Sequence, residues 1–241
     1  MRARIRFSKL GRIRWTSHRD VARMWERAFR RAELPVALTE GFSPRPRLSF
    51  GLALSTGHES LGEYLDVELA PRPGASVDVE TLPEVLTPAL PDGIDVQAAR
   101  LLEGPVPSLQ QDVTCCSWSL VFVGPTDEEL AWRVGILLGA HELVVTRSRK
   151  GQEQADDIRP AIRELRVAGT GMVVADVSTQ PRGLRPGELV DALLAGTVHD
   201  TTCVWRVVRT HQWIERDGAR WEPVELPAGA LLAGHALGAC L

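Results

Sequence analysis

Residues 14–50 read RWTSHRDVARMWERAFRRAELPVALTEGFSPRPRLSF, and the division of this stretch into helix, short apolar run and loop sets how the rest of the chain is read. Ser17 is an N-cap residue, and Asp20 three positions on gives a capping-box-like start. At about 100° per residue, Val21, Met24, Trp25, Ala28, Phe29 and Ala32 gather on one side. Arg19, Arg23, Arg27 and Arg30 descend the other side at spacings of four, four and three, with Arg31 flanking. The pattern predicts a helix over 17–32 with a core face and an outward ridge of guanidinium groups. In the loop Glu40–Arg47, two prolines fix φ and hold Arg45 and Arg47 on display. Such a surface suits an anionic ligand.

Working outward, Arg2–Ser8 alternates arginine with Ala3, Ile5 and Phe7, a half-buried strand by period two. Leu34–Leu38 is a short apolar run. Leu48–Leu54 and Leu61–Leu69 read as strands joined through Gly57, whose freedom at positive φ suits the turn. Thr81-Leu82-Pro83-Glu84 opens a short helix to about Ala89, and Ile94–Leu102 is a fourth strand. Residues 103–112, EGPVPSLQQD, have two prolines and no period, which marks a linker. Val113–Val123 is a strand, and Thr126 caps a helix bearing Leu130, Val134, Leu137 and Leu138 on one face. Strands follow at 142–149 and 172–178, with an extended piece at 158–167 between them; Pro186 opens a helix to Leu194, and 202–209 closes with a strand.

The order β-α-β-β-α-β occurs twice. The expected fold is therefore α+β: two tandem ferredoxin-like (βαββαβ) domains with antiparallel sheets and both helices on one face. The boundaries are 1–102, a linker at 103–112, 113–210, and an irregular tail over 211–241. Small residues without period make 222–241 the part expected to be poorly ordered.

The net charge of −3 conceals a segregation: residues 1–50 hold 13 Lys/Arg against 4 Asp/Glu, so the remainder is strongly acidic. That asymmetry points to an anionic partner for the first half, nucleic acid foremost, against the plainer reading of a basic face matched by acids of the same molecule. Arginine outnumbers lysine 26 to 2, which reflects composition as much as function. The four cysteines, Cys115, Cys116, Cys203 and Cys240, have neither C-x₂-C zinc spacing nor the C-x₃-C-x₂-C of a radical SAM cluster. No phosphate-loop or H-E-x-x-H motif occurs. No cofactor or metal is expected. Without an apolar run of eighteen residues or a leader-like N-terminus, the expectation is a cytoplasmic protein with no membrane partner.

The segments Arg6-Phe7-Ser8-Lys9-Leu10-Gly11, Ser17-His18-Arg19-Asp20, Arg27–Ala32, Leu34-Pro35, Gly41–Pro46 and Glu63-Tyr64-Leu65-Asp66 together resemble the N-terminal signature of the radical SAM-associated proteins. These occur fused behind a radical S-adenosylmethionine enzyme or as separate chains. The resemblance is dense over 4–69, thin at Lys150-Gly151, Asp157–Pro160 and Arg209-Thr210, and absent from the tail. Arg19 stands where an aliphatic residue is expected. The resemblance implies a radical SAM enzyme as protein partner and service to it in RNA or ribosome modification. It supplies an association, not a reaction.

The nucleic-acid-binding candidates are thus Arg19, Arg23, Arg27, Arg30, Arg31, Arg45 and Arg47, with Lys9, His58, Lys150 and Arg159 as secondary candidates. The expected function is an RNA-binding accessory protein rather than an enzyme. Two alternatives stand beside it. One is a metal-independent endoribonuclease in which His18 is the base and Arg45 or Arg47 stabilises the phosphorane. The other is a protein–protein adaptor that binds no RNA. Asp156-Asp157 with Glu153 reads as a solvated loop, and Trp205, in a Val-rich strand, as core.

Overall fold

Ala3, Ile5 and Phe7 alternate with Arg4, Arg6 and Ser8 in the first strand, and both sets are buried. The computed structural model describes residues 1–70, 76–149 and 151–227. It is a mixed α+β structure with mostly antiparallel pairing, and its contacts divide into two units. One comprises, among the described residues, Met1–Asp112 with 221–227; the other is Val113–Arg220.

In the first unit β1 (Arg2–Lys9) leads to α1 (His18–Arg31), β2 (Leu48–Phe50), β3 (Glu59–Glu68), α2 (Leu82–Leu86) and β4 (Val96–Leu102). Antiparallel ladders join β1 to β3, β1 to β4 and β2 to β3, giving the order β4-β1-β3-β2. Ser17 caps α1 by accepting from the Asp20 amide at 3.2 Å. The helix stops where Glu33 takes φ 51° and the Leu34 amide turns back to the Phe29 carbonyl, a left-handed stop completed by Pro35. Its apolar stripe (Val21, Trp25, Ala28 and Phe29) packs with Ile5, Phe7, Leu65 and Val67 of the sheet and Leu82 and Leu86 of α2. Phe7 meets the Trp25 ring edge-on with centroids 5.0 Å apart. One face of this sheet thus receives both helices. A single turn, α3 (Leu109–Asp112), lies inside the expected linker and buries Leu109.

The opposite face of β1 departs from the half-buried expectation. Arg4, 1% exposed, makes a bidentate pair with Asp66, its partner across the β1–β3 ladder, at 2.7 and 3.0 Å. Arg6 donates to Gln97, to the Tyr64 hydroxyl at 2.9 Å, to Glu222 and to the Val224 carbonyl. Burial pulls the Arg6 guanidinium below its ordinary value, and Tyr64 opposes that pull. These arginines are structural. Residues 222–224, expected at the start of a poorly ordered tail, hold Arg6 and accept from Arg100.

In the second unit β5 (Cys115–Phe122) is followed by α4 (Asp127–Gly139), the hairpin β6 (Val144–Arg149) and β7 (Gln152–Asp157), then β8 (Ile162–Gly169) and β9 (Met172–Ser178). The helix α5 (Pro186–Leu194) and β10 (Val204–Arg216) complete it. The sheet order is β10-β5-β9-β8, the same permutation as in the first unit, with β6–β7 as a separate two-stranded ladder. Thr126 and Glu129 form a full capping box on α4.

Three expectations are corrected here. Residues 152–157 are a strand, not a loop, and Asp156 is buried between Arg147 and Arg182. β10 continues through 211–216, so the irregular tail does not begin at 211; Asp217 and Gly218, both at positive φ, turn the chain into β11 (Ala219–Trp221). Trp205 is half exposed and not core: the register shifts between Val204 and Arg206, and Trp205 is left without a partner in the β5 ladder. The part of the tail from 228 lies outside the described residues; among those described, no helix is long and apolar enough to cross a membrane.

Candidate functional site

The Ser17 cap and the Trp25–Phe29 stripe fix the rotation of α1, and that rotation turns Arg19, Arg23, Arg27, Arg30 and Arg31 outward, all exposed. Arg23 to Arg27 is a rise of about 6 Å and Arg27 to Arg30 about 4.5 Å. Arg23 pairs with Asp20 at 3.3 Å, both half exposed, and Arg31 donates to the Ala89 carbonyl at 3.2 Å. Among the described residues, Arg19, Arg27 and Arg30 have no ion-pair or side-chain hydrogen-bond partner.

The loop bearing Arg45 and Arg47 is held by more than its prolines. The Thr39 amide donates to the Arg45 carbonyl at 2.8 Å, the Arg45 amide to Thr39 Oγ1 at 3.1 Å, and the Arg47 amide to the Ala37 carbonyl at 2.9 Å. These bonds close a small hairpin whose tip carries Phe42, fully exposed. Arg47 reaches Glu68 at 3.3 Å, again across an exposed pair, while the Arg45 guanidinium has no partner among the described residues. The roots of this loop, Val36 and Leu48, pack on the same cluster as Trp25 and Phe29. Exposed pairs such as Arg23–Asp20 and Arg47–Glu68 contribute roughly 0–1 kcal/mol, so an anionic ligand can displace either at little cost.

The secondary candidates fall elsewhere. Lys9 is buried, 3% exposed, and its ammonium donates to the carbonyls of Arg14 (3.4 Å) and Thr16 (3.2 Å). It holds a loop and is not a surface contact. His58 is half buried, with Nδ1 3.4 Å from the Thr56 carbonyl. Arg159 turns its guanidinium to the carbonyls of Leu138 and Ile162 and so ties the end of α4 to β8. Lys150 lies outside the described residues.

His18 is exposed at the first turn of α1, its ring edge-on to Phe50 at 5.0 Å. Phe50 and Arg47 are three extended residues apart, about 10 Å, and Arg47 leans on Glu68. His18 and Phe50 line a pocket together with Phe7, Lys9, Val21 and Glu63 among others, and among the described residues no arginine lines it. At about 20 Å³ that pocket has room for a water and not for a nucleotide. Among the described residues no three His, Cys, Asp or Glu side chains gather as a metal site.

Sequence periodicity missed the fully buried Glu59, which accepts from the Gly11 amide at 2.5 Å and faces Arg14 at 3.7 Å. It also missed Phe42 at the hairpin tip and the exposed Trp15. The one available signal was the density of aromatic and arginine residues in the turns flanking α1.

None of the curated proteins matches the chain. Residues 2–186, which take in the whole of α1 and the arginine hairpin, match the family described as "Uncharacterized protein conserved in bacteria (DUF2344)". That match spans most of the sequence, and the chain belongs to this family.

Proposed function

We propose that this chain is a cytoplasmic RNA-binding accessory protein whose phosphate-contacting surface is Arg19, Arg23, Arg27, Arg30 and Arg31 of α1 with Arg45 and Arg47 of the hairpin. The observation that carries this reading is the set of exposed arginines, Arg19, Arg27, Arg30 and Arg45, that meet no acidic side chain among the described residues. A basic face neutralised by its own molecule would instead be laced with ion pairs. The acidic second half spends its carboxylates elsewhere: Asp156 and Glu188 hold Arg147, Asp176 holds Arg220, and Glu215 holds Arg163.

The repeated strand permutation supports a tandem ferredoxin-like reading, the second copy carrying the β6–β7 hairpin as an insertion. Fold alone carries no activity. The resemblance over residues 4–69 supports a radical SAM enzyme as the protein partner and RNA or ribosome modification as the setting. Purification at low salt tests the RNA reading: the protein should carry material absorbing at 260 nm, ribonuclease-sensitive and removed by high salt. Protein free of nucleic acid that also fails to retard RNA would leave the adaptor reading in its place.

A further inference from the structure

The connection between β1 and α1 buries none of its own side chains over Gly11–Trp15, yet two fully buried charges are devoted to fixing its main chain. Lys9 binds the carbonyls of Arg14 and Thr16, and Glu59 takes the Gly11 amide and faces the Arg14 guanidinium. Burying charge costs several kcal/mol per ion unless it is well satisfied. A loop held this way has a fixed shape, and what it presents is the Trp15 indole, 64% exposed. The ring lies over Gly57, at φ +87°, where an added Cβ would sit 2.9 Å from the indole Cζ3. The Gly57 amide also donates to the Arg14 carbonyl at 2.8 Å, so the backing of the ring is part of the same assembly. Arg14 stands 5.4 Å from the ring centroid, and the exposed neighbours in sequence are Arg12, Ser17, His18 and Arg19.

An exposed indole with a guanidinium beside it and cationic and polar residues on either side in sequence does not read as the centre of an apolar docking patch. It matches a π-face beside phosphate-binding charge. We infer that Trp15 is a stacking platform for one unpaired nucleobase, at the end of α1 where the arginine ridge begins. The class of ligand is therefore single-stranded nucleic acid, since bases inside a duplex offer no free face. This inference rests on the RNA reading and adds to it the strandedness of the substrate and a contact that is not electrostatic.

The test compares fluorescein-labelled 12-nucleotide oligouridine with a 12-base-pair RNA duplex over a salt series, for wild type, Trp15→Ala and Trp15→Phe. Loss of one stacked base weakens single-strand binding on the order of 5- to 150-fold. Because no counterion is released by stacking, the plot of log affinity against log salt should move down without changing slope. Trp15→Phe should retain most of the affinity, duplex binding should be the same for all three proteins, and thermal melting should be unaltered because the ring is exposed. Single-strand binding unchanged in Trp15→Ala, or equal losses on both RNAs, overturns the platform while leaving the arginine surface standing. Wild type that binds neither RNA overturns both.

Discussion

Replacing Asp66 with alanine strands Arg4. The two are directly opposed in the β1–β3 ladder, joined by bonds of 2.7 and 3.0 Å, and Arg4 is 1% exposed. Without Asp66 the guanidinium would be buried with no acid across the ladder to satisfy it. Removing one partner of a buried pair costs about 3–5 kcal/mol, out of roughly 5–15 for a whole domain. At about 2–4 °C per kcal/mol for a chain of this size, the melting midpoint should fall on the order of 6–20 °C. Substituting both sides, Arg4→Met with Asp66→Leu, should restore most of the loss, because the intact pair offsets little beyond its own desolvation. Calorimetry and urea denaturation of the three proteins read both quantities. If Asp66→Ala melts within about 1 kcal/mol of wild type, or the double variant is no better than the single, the second face of this sheet is not held by buried ion pairing.

Two further outcomes follow from the packing and the thiols. Phe29→Ala should destabilise the first unit by about 3–5 kcal/mol, since its ring is 1% exposed against Trp25 in the core; an unchanged urea midpoint would contradict the assignment of that helix face. Burial, with Asp176 and Glu215 nearby, pushes the Cys115 thiol up to about 12, so at pH 8 it stays protonated. Peptide mapping after iodoacetamide treatment should find Cys115 unlabelled in native protein and labelled only after denaturation, and rapid native labelling would refute its burial.

Period-two and period-3.6 patterns carried most of the first unit: β1, α1 with its Ser17 cap, and β3 lie where the residues indicate. What the patterns could not carry is the destination of the polar face. Arg4 and Arg6 look like solvent-facing alternates because Asp66, Tyr64 and Glu222, which bury them, lie 58 or more residues away in sequence. Lys9 misleads for the same reason, since its acceptors are main-chain carbonyls that no side-chain motif announces. β7 was illegible because QEQADD has no apolar alternation, and only its ladder to β6 makes it a strand. In β10 the buried Gln212 breaks the apolar code beyond Arg209, which hid the strand's second half. The arginine ridge was legible because a helix needs only its own spacing to place a face. The rigidity of the Gly11–Thr16 loop was not, since it depends on Lys9 and Glu59, far apart in sequence, each binding that loop's main chain.

The most direct test of the central reading is the salt dependence of RNA affinity for wild type and for the double variant Arg23→Gln/Arg27→Gln. Each single-strand phosphate contact contributes about −0.7 to the slope of log affinity against log salt, so the five contacts from Arg23, Arg27, Arg30, Arg45 and Arg47 alone give roughly −3.5, and Arg19 and Arg31 steepen it further. The double variant should weaken binding across all sequences and flatten the slope by about 1.4, with the melting temperature unchanged. An unaltered slope in the double variant, or wild type that binds no RNA at any salt concentration, would contradict the account.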